Sequence, residues 1–162
     1  MPNKIYTAPE TTLTFQDSSG NYAITLNNLP DGAGRVSARA DKGAGSKAKI
    51  FRVTVVIQFN APVVVGKAVE IYLFRSDGTY ADGTVGTADA TLVADKRKNG
   101  TFIGSVVADQ TAATIDTVVT FEDVVISSRY FSVGVWNASG VALKASANAS
   151  KILVTPIPDE VQ

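Results

Sequence analysis

The chain has 162 residues, of which 45% are hydrophobic and 19% charged, with a formal net charge of zero at pH 7. That length buries a core without metals or disulfides and suits a single domain over residues 1–162. Cysteine and histidine are both absent, which excludes disulfides, thiolate metal sites, cysteine nucleophiles and every triad built on an imidazole base.

Residues 1–10 carry Pro2 and Pro9, neither of which can donate to a sheet ladder, so they predict an extended N-terminal arm that reaches neighbours, with a disordered tail as the alternative. No apolar leader or membrane-length run occurs, and a soluble chain made in the cytoplasm, with no membrane partner, is expected. Leu13 and Phe15 alternate before the turn Asp17-Ser-Ser-Gly20, and Tyr22, Ile24 and Leu26 alternate after it, which predicts a hairpin. After an Asn- and Gly-rich loop, Arg35 to Ala40 predicts a short strand with Arg35, Ser37 and Arg39 on one face. Gly43-Ala-Gly-Ser46 fails the spacing of phosphate-binding glycine loops and reads as a connection between strands.

Ile50 to Phe59 is the strongest strand signal. Phe51, Val53, Val55, Ile57 and Phe59 share one side of an extended chain and Arg52, Thr54 and Gln58 the other, so an interior, half-buried strand is expected. Lys67 to Arg75 predicts another, with Val69, Ile71 and Leu73 inward. Tyr72 and Phe74, on its opposite face, need a cover from a neighbouring subunit or from the loop that follows. That loop, Ser76 to Gly100, is long enough to be functional or mobile. Its Asp77, Asp82, Asp89 and Asp95 lack the calcium-loop pattern and read as turn residues. Strands follow at Thr101 to Ala108, Asp116 to Ser127, Arg129 to Asn137 and Ile152 to Thr155, and the prolines at 156 and 158 predict an extended C-terminal tail over 156–162 that stays out of the sheet. With about nine short strands and no substantial helix, the pattern predicts an all-β fold, an antiparallel β-sandwich of jelly-roll type.

The charges are unevenly placed. Arg35, Arg39, Lys42, Lys47, Lys49 and Arg52 face only Asp41 within their segment, while eight acids between Ser76 and Ser128 face Lys96, Arg97 and Lys98. A two-ended molecule that presents a basic face to an acidic partner is one reading, and mutual neutralisation in space is the other. Nucleic acid is disfavoured, because the basic segment holds Phe51 as its only aromatic.

Three stretches, Asp31 to Gly45, Ser128 to Gly140 and Leu153 to Gln162, resemble small structural proteins of tailed bacteriophages, most of all those that decorate or cement the outer capsid. The resemblance implies a virion component on the capsid surface with a β-sandwich body, a homo-oligomer with a trimer favoured, and partners in the major capsid protein and neighbouring virion subunits. It implies no catalytic, metal or cofactor residues. On this reading the partner-binding candidates are Arg35, Arg39, Lys42, Lys47, Lys49, Arg52, Tyr72, Phe74, Pro156 and Pro158. Two rivals remain. One is a carbohydrate-binding or host-recognition module using Tyr72, Tyr80, Tyr130 or Trp136, against which a lone Trp in a strand is more often a core or interface anchor. The other is a glycan-cleaving enzyme using Glu122 with Asp123 or Glu70, which requires a bulge to bring adjacent strand residues to one face.

Overall fold

The computed structural model describes residues 11–44, 47–63, 65–82, 86–108 and 115–157. In chain order the elements are β1 (Leu13–Gln16), β2 (Tyr22–Ala23), β3 (Ala33–Val36), β4 (Ala40–Asp41), β5 (Ile50–Ile57), β6 (Ala68–Ser76), β7 (Ala90–Leu92), α1 (Ala94–Arg97), β8 (Thr101–Val107), β9 (Thr117–Val125), β10 (Tyr130–Ala138) and β11 (Lys151–Ile157). The protein is nearly all β. One sheet runs β2-β1-β11-β5-β9 and the other β7-β3-β10-β6-β8, with β4 also on β10, and every pairing except β1 with β2 is antiparallel.

Both sheets contribute to one core. Phe51, Val53, Val55, Ile57 and Phe59 are all buried, as the alternation of their segment requires, and they share a cluster with Val69, Ile71 and Leu73 of β6 and Phe131, Val133 and Val135 of β10. Phe15 of β1 meets Phe131 across the interface at 5.9 Å between ring centroids. Each such side chain contributes about 1.5–3 kcal/mol on burial, so this layer is the main source of stability.

The expected hairpin over 11–26 is not formed. β2 lies parallel to β1, with Phe15 opposite Tyr22. Asn21 Oδ1 accepts the Thr14 amide at 2.9 Å, occupying a donor that a hairpin ladder needs, and the Tyr22 ring stacks on Phe15 at 5.3 Å. The strand expected from Arg35 to Ala40 is interrupted after Val36, because buried Ser37 turns inward: its hydroxyl accepts the Val133 amide at 3.0 Å and donates to Ala38 O at 2.8 Å. Nor does the body end at residue 155. Pro156 is buried within β11 opposite Phe51. Pairing of β11 with β1 stops at Val154, so Pro156 sits where β11 is paired on one side only, a position that tolerates a missing N–H. Residues 1–10 and Pro158, expected as arm and tail, lie outside the described residues.

The cover over Tyr72 and Phe74 comes from the chain itself. Within the long loop, β7 and α1 bring Leu92 and Arg97 onto the outer face of β6 and β10, and Val36, Tyr72, Phe74 and Leu92 form a second buried cluster with Trp136 packed against it. Phe74 fits because Gly100 and Gly134 leave room, since a Cβ on either would come within 2.8 or 2.5 Å of the Phe74 ring.

Candidate functional site

The basic segment is largely neutralised within the fold. Arg35 Nη2 lies 2.6 Å from Asp89, and Arg52 pairs with Glu122 at 2.8 Å, so both meet acids of the expected acidic region. Arg39 donates to Gly78 O at 2.9 Å and lies 4.8 Å from the centre of the Tyr130 ring, whose other cation, Arg129, is also at 4.8 Å. Lys42 donates to the carbonyls of Ala48 and Ile126. Lys47 and Lys49, at the start of β5, make no ion pair among the described residues. Of the apolar candidates, Phe74 is 1% and Tyr72 9% exposed, and Pro156 is buried, so none of the three presents a surface. Their places are taken by intramolecular packing.

The acids of the long loop are likewise engaged. Asp77 accepts the amides of Thr79 and Tyr80, bonds that hold its carboxyl below the usual range. Asp82 accepts the Arg75 amide, Asp89 holds Thr25 and Arg35, and Asp95 meets Lys98. Among the described residues no three acids are placed to hold a metal ion. Arg129 grips Asp41 with two bonds of 2.8 Å and lowers its carboxyl to about 2.

The aromatic candidates do not form a platform. Trp136 is half-buried with the Arg97 guanidinium 4.5 Å over its ring, and Tyr130 lies between Arg39 and Arg129. Burial and a 2.6 Å hydrogen bond to Glu70 raise the Tyr72 phenol to about 12. Of these four candidates Tyr80, 77% exposed, presents its ring, on the lip of a shallow depression with Arg75 and Arg129. Of the candidate carboxylates, Glu70 and Glu122 do not converge. Glu70 is on β6, held by Tyr72 and Arg97, whereas Glu122 is on β9 of the other sheet, held by Arg52. A bulge does intervene at Glu122 and Asp123, since Phe51 faces Val124 while Val53 faces Phe121, and Asp123 takes φ 55°.

What the structure assembles instead is an open side. At one side of the two sheets the edge strands are β2, of two residues, and β7, of three, and the Asp89 carboxylate ties them across by accepting the Thr25 amide at 3.0 Å. At the opposite side they are, among the described residues, β8, of seven residues, and β9, of nine. Short edges resist strand addition; long ones present a row of free backbone donors and acceptors. This side also carries exposed apolar side chains: Phe102 and Val107 on β8, and Val118 and Val125 on β9, with Ile115 just before it.

Between β8 and β9 lies a cleft of about 540 Å³, with Leu73, Ile103, Phe121 and Val124 as apolar lining and Arg75, Thr120, Glu122 and Asp123 among its polar groups. A second bulge, at Ile103 where β8 slips against β6, faces it. Phe121 closes onto Gly104, where a Cβ would meet Phe121 Cε1 at 2.3 Å. Arg75 bridges the two strands at one end, donating to Thr101 Oγ1 at 2.8 Å and to Val125 O at 3.4 Å. The sequence gives little warning of this face. Val118, Val119, Phe121, Val124 and Val125 put apolar residues on both sides of β9, which reads as an interior strand.

Neither a protein-family model, nor a curated protein sequence, nor a solved structure matches this chain.

Proposed function

We propose that the chain is a non-enzymatic structural subunit of a tailed-bacteriophage virion, a decoration or cement protein that binds the outside of the head at subunit junctions and stabilises the shell. The observation that carries this reading is the asymmetry of the sheet edges: blunted and tied at β2 and β7, long and apolar at β8 and β9. A monomer that works alone has no use for such a side, and exposed apolar edges are where chains adhere.

Strand order supports a jelly roll. With the short β2, β4 and β7 set aside, the eight remaining strands run first-eighth-third-sixth in one sheet and second-seventh-fourth-fifth in the other. Two double-wound Greek keys give that order, an architecture that viral capsid domains and lectins both use. Two of the stretches that resemble phage structural proteins are neighbours here, since β3 and β4 pair with β10. Of the four aromatics named for the carbohydrate-binding alternative, Tyr80 is the one with an exposed ring, and Glu122 and Glu70, one of the two carboxylate pairs considered for glycan cleavage, lie on different sheets, each held by an arginine.

The mechanism is linkage. A decoration subunit buries surface that exists only in the assembled shell, so it stabilises that state by mass action, about 2.7 kcal/mol for each site at a hundredfold excess over Kd.

Co-sedimentation with undecorated capsids tests the assignment. Retention at physiological salt is expected, with retention lost in the full chain carrying Phe102→Lys and Val107→Lys on β8. Absence of retention at any salt would overturn it.

A further inference from the structure

We infer that residues 1–10 of one copy add as a strand to the free edge of β9 in a second copy, joining chains head to tail. The inference rests on reading the β8–β9 side as a contact face and divides it: the arm of a second copy takes the backbone edge of β9, and the β8 edge with Phe102 and Val107 is left to the shell.

The donor has the required chemistry. Between Pro2 and Pro9 the sequence Asn3-Lys4-Ile5-Tyr6-Thr7-Ala8 keeps every backbone N–H, and Ile5, Tyr6 and Thr7 are strong strand formers. The prolines at both ends limit the added strand to the six residues between them. The acceptor complements it in charge. Glu122 and Asp123 stand exposed at the β9 bulge, and Asp123 meets no cation among the described residues, so Lys4 supplies the opposite sign beside an apolar cleft that takes Ile5 or Tyr6.

Geometry favours a second copy over the chain's own edge. The arm enters β1, and β11 and β5 separate β1 from β9. Reaching the outside of its own β9 means crossing four strand spacings, about 19 Å. That distance consumes about six extended residues and leaves about four to pair. A neighbour's edge imposes no such crossing. Because donor and acceptor lie on opposite sides of the same sheet, the contact is heterologous, and it closes into a ring when the rotation per copy allows.

Two full-length variants test it by light scattering. Ile5→Pro with Thr7→Pro disables the donor; Val118→Lys with Val125→Lys disables the acceptor at two exposed side chains. The unaltered chain is expected to be an oligomer and each variant alone a monomer with an unchanged circular-dichroism spectrum. Mixed in equal amounts, the two variants are expected to give a one-to-one dimer and nothing larger, because one intact donor meets one intact acceptor. As a check that needs no variant, a synthetic peptide of residues 1–10, in excess, is expected to dissociate the oligomer. An unaltered chain that is monomeric, a donor variant that still assembles, or a mixture that remains monomeric would each overturn the exchange. Failure here with capsid retention intact would leave the shell-binding role standing, so the two claims fall separately.

Discussion

The contact between Gly104 and Phe121 is where the two open edges meet, and Gly104→Ala probes it. A Cβ at this position lies 2.3 Å from Phe121 Cε1 and 2.9 Å from Cδ1 and Cζ, too close without a shift of the ring. Overpacking of this kind costs about 1–3 kcal/mol. Against it stands a gain of about 0.4–1 kcal/mol, because alanine has less freedom to lose from the unfolded chain than glycine. The net expectation is a destabilisation of about 1–2 kcal/mol in the otherwise unaltered protein. With Phe121→Ala in place the ring is gone and only the entropic gain remains, so the same substitution is expected to become neutral or stabilising. Urea unfolding followed by the fluorescence of Trp136, the single tryptophan, measures both. With a denaturant slope of about 2 kcal/mol per molar, the first change moves the midpoint down by about 0.5–1 M. The four proteins form a double-mutant cycle, and the reversal of sign is its signature. Effects that add within about 0.5 kcal/mol would mean that β8 and β9 do not touch there, and the description of the cleft would fail.

Other consequences follow from the interior and from the ionisable groups. Phe131→Ala, which empties the ring position facing Phe15 between the sheets, is expected to cost about 3–5 kcal/mol by the same unfolding assay. A loss under about 1 kcal/mol would deny the shared core. Tyr72 is held neutral by burial and by Glu70, with its phenol near 12. One of the five tyrosines should therefore ionise last in ultraviolet difference spectra, and that late step should vanish in Tyr72→Phe. The stabilisation tied to its neutral form is complete below the unfolded phenol value of about 10 and is lost as pH rises towards 12. Asp41 behaves in the opposite sense. Arg129 holds its carboxyl at about 2, so the stabilisation is complete above the unfolded value of about 4 and is lost as pH falls through about 2. Asp41→Asn should flatten the acid limb of the stability curve, and an unchanged limb would remove the pair from the account.

Strand positions with a buried face were legible because period-two alternation is a direct imprint of one-sided burial. Phe51 to Phe59 fixes its inward set without ambiguity, and Phe131, Val133 and Val135 do the same for β10. Pairing direction leaves no such imprint. The turn at Asp17 to Gly20 suits a hairpin by composition, whereas β2 lies parallel, with the Thr14 amide bonded to the Asn21 side chain and Tyr22 stacked on Phe15. Ion pairs were hidden for a similar reason. Arg35 and Asp89 lie 54 positions apart, and Arg52 and Glu122 lie 70 apart, so a charge map drawn along the chain makes two ends where the fold makes neutral pairs. Tyr72 and Phe74 announced that something covers them, and the chain's own loop does so. The open side was least legible. Apolar residues on both faces of β9 are what a buried strand also shows, and nothing local states that a strand lies at an edge.

Amide hydrogen exchange on the protein alone and bound to undecorated shells reads the contact face residue by residue. The account predicts that binding slows exchange along Thr101–Val107, with Thr117–Val125 already protected in the free oligomer, and leaves β2 and β7 unchanged. New protection centred on β2 and β7, or on Lys47 and Lys49 with β8 unaffected, would contradict it.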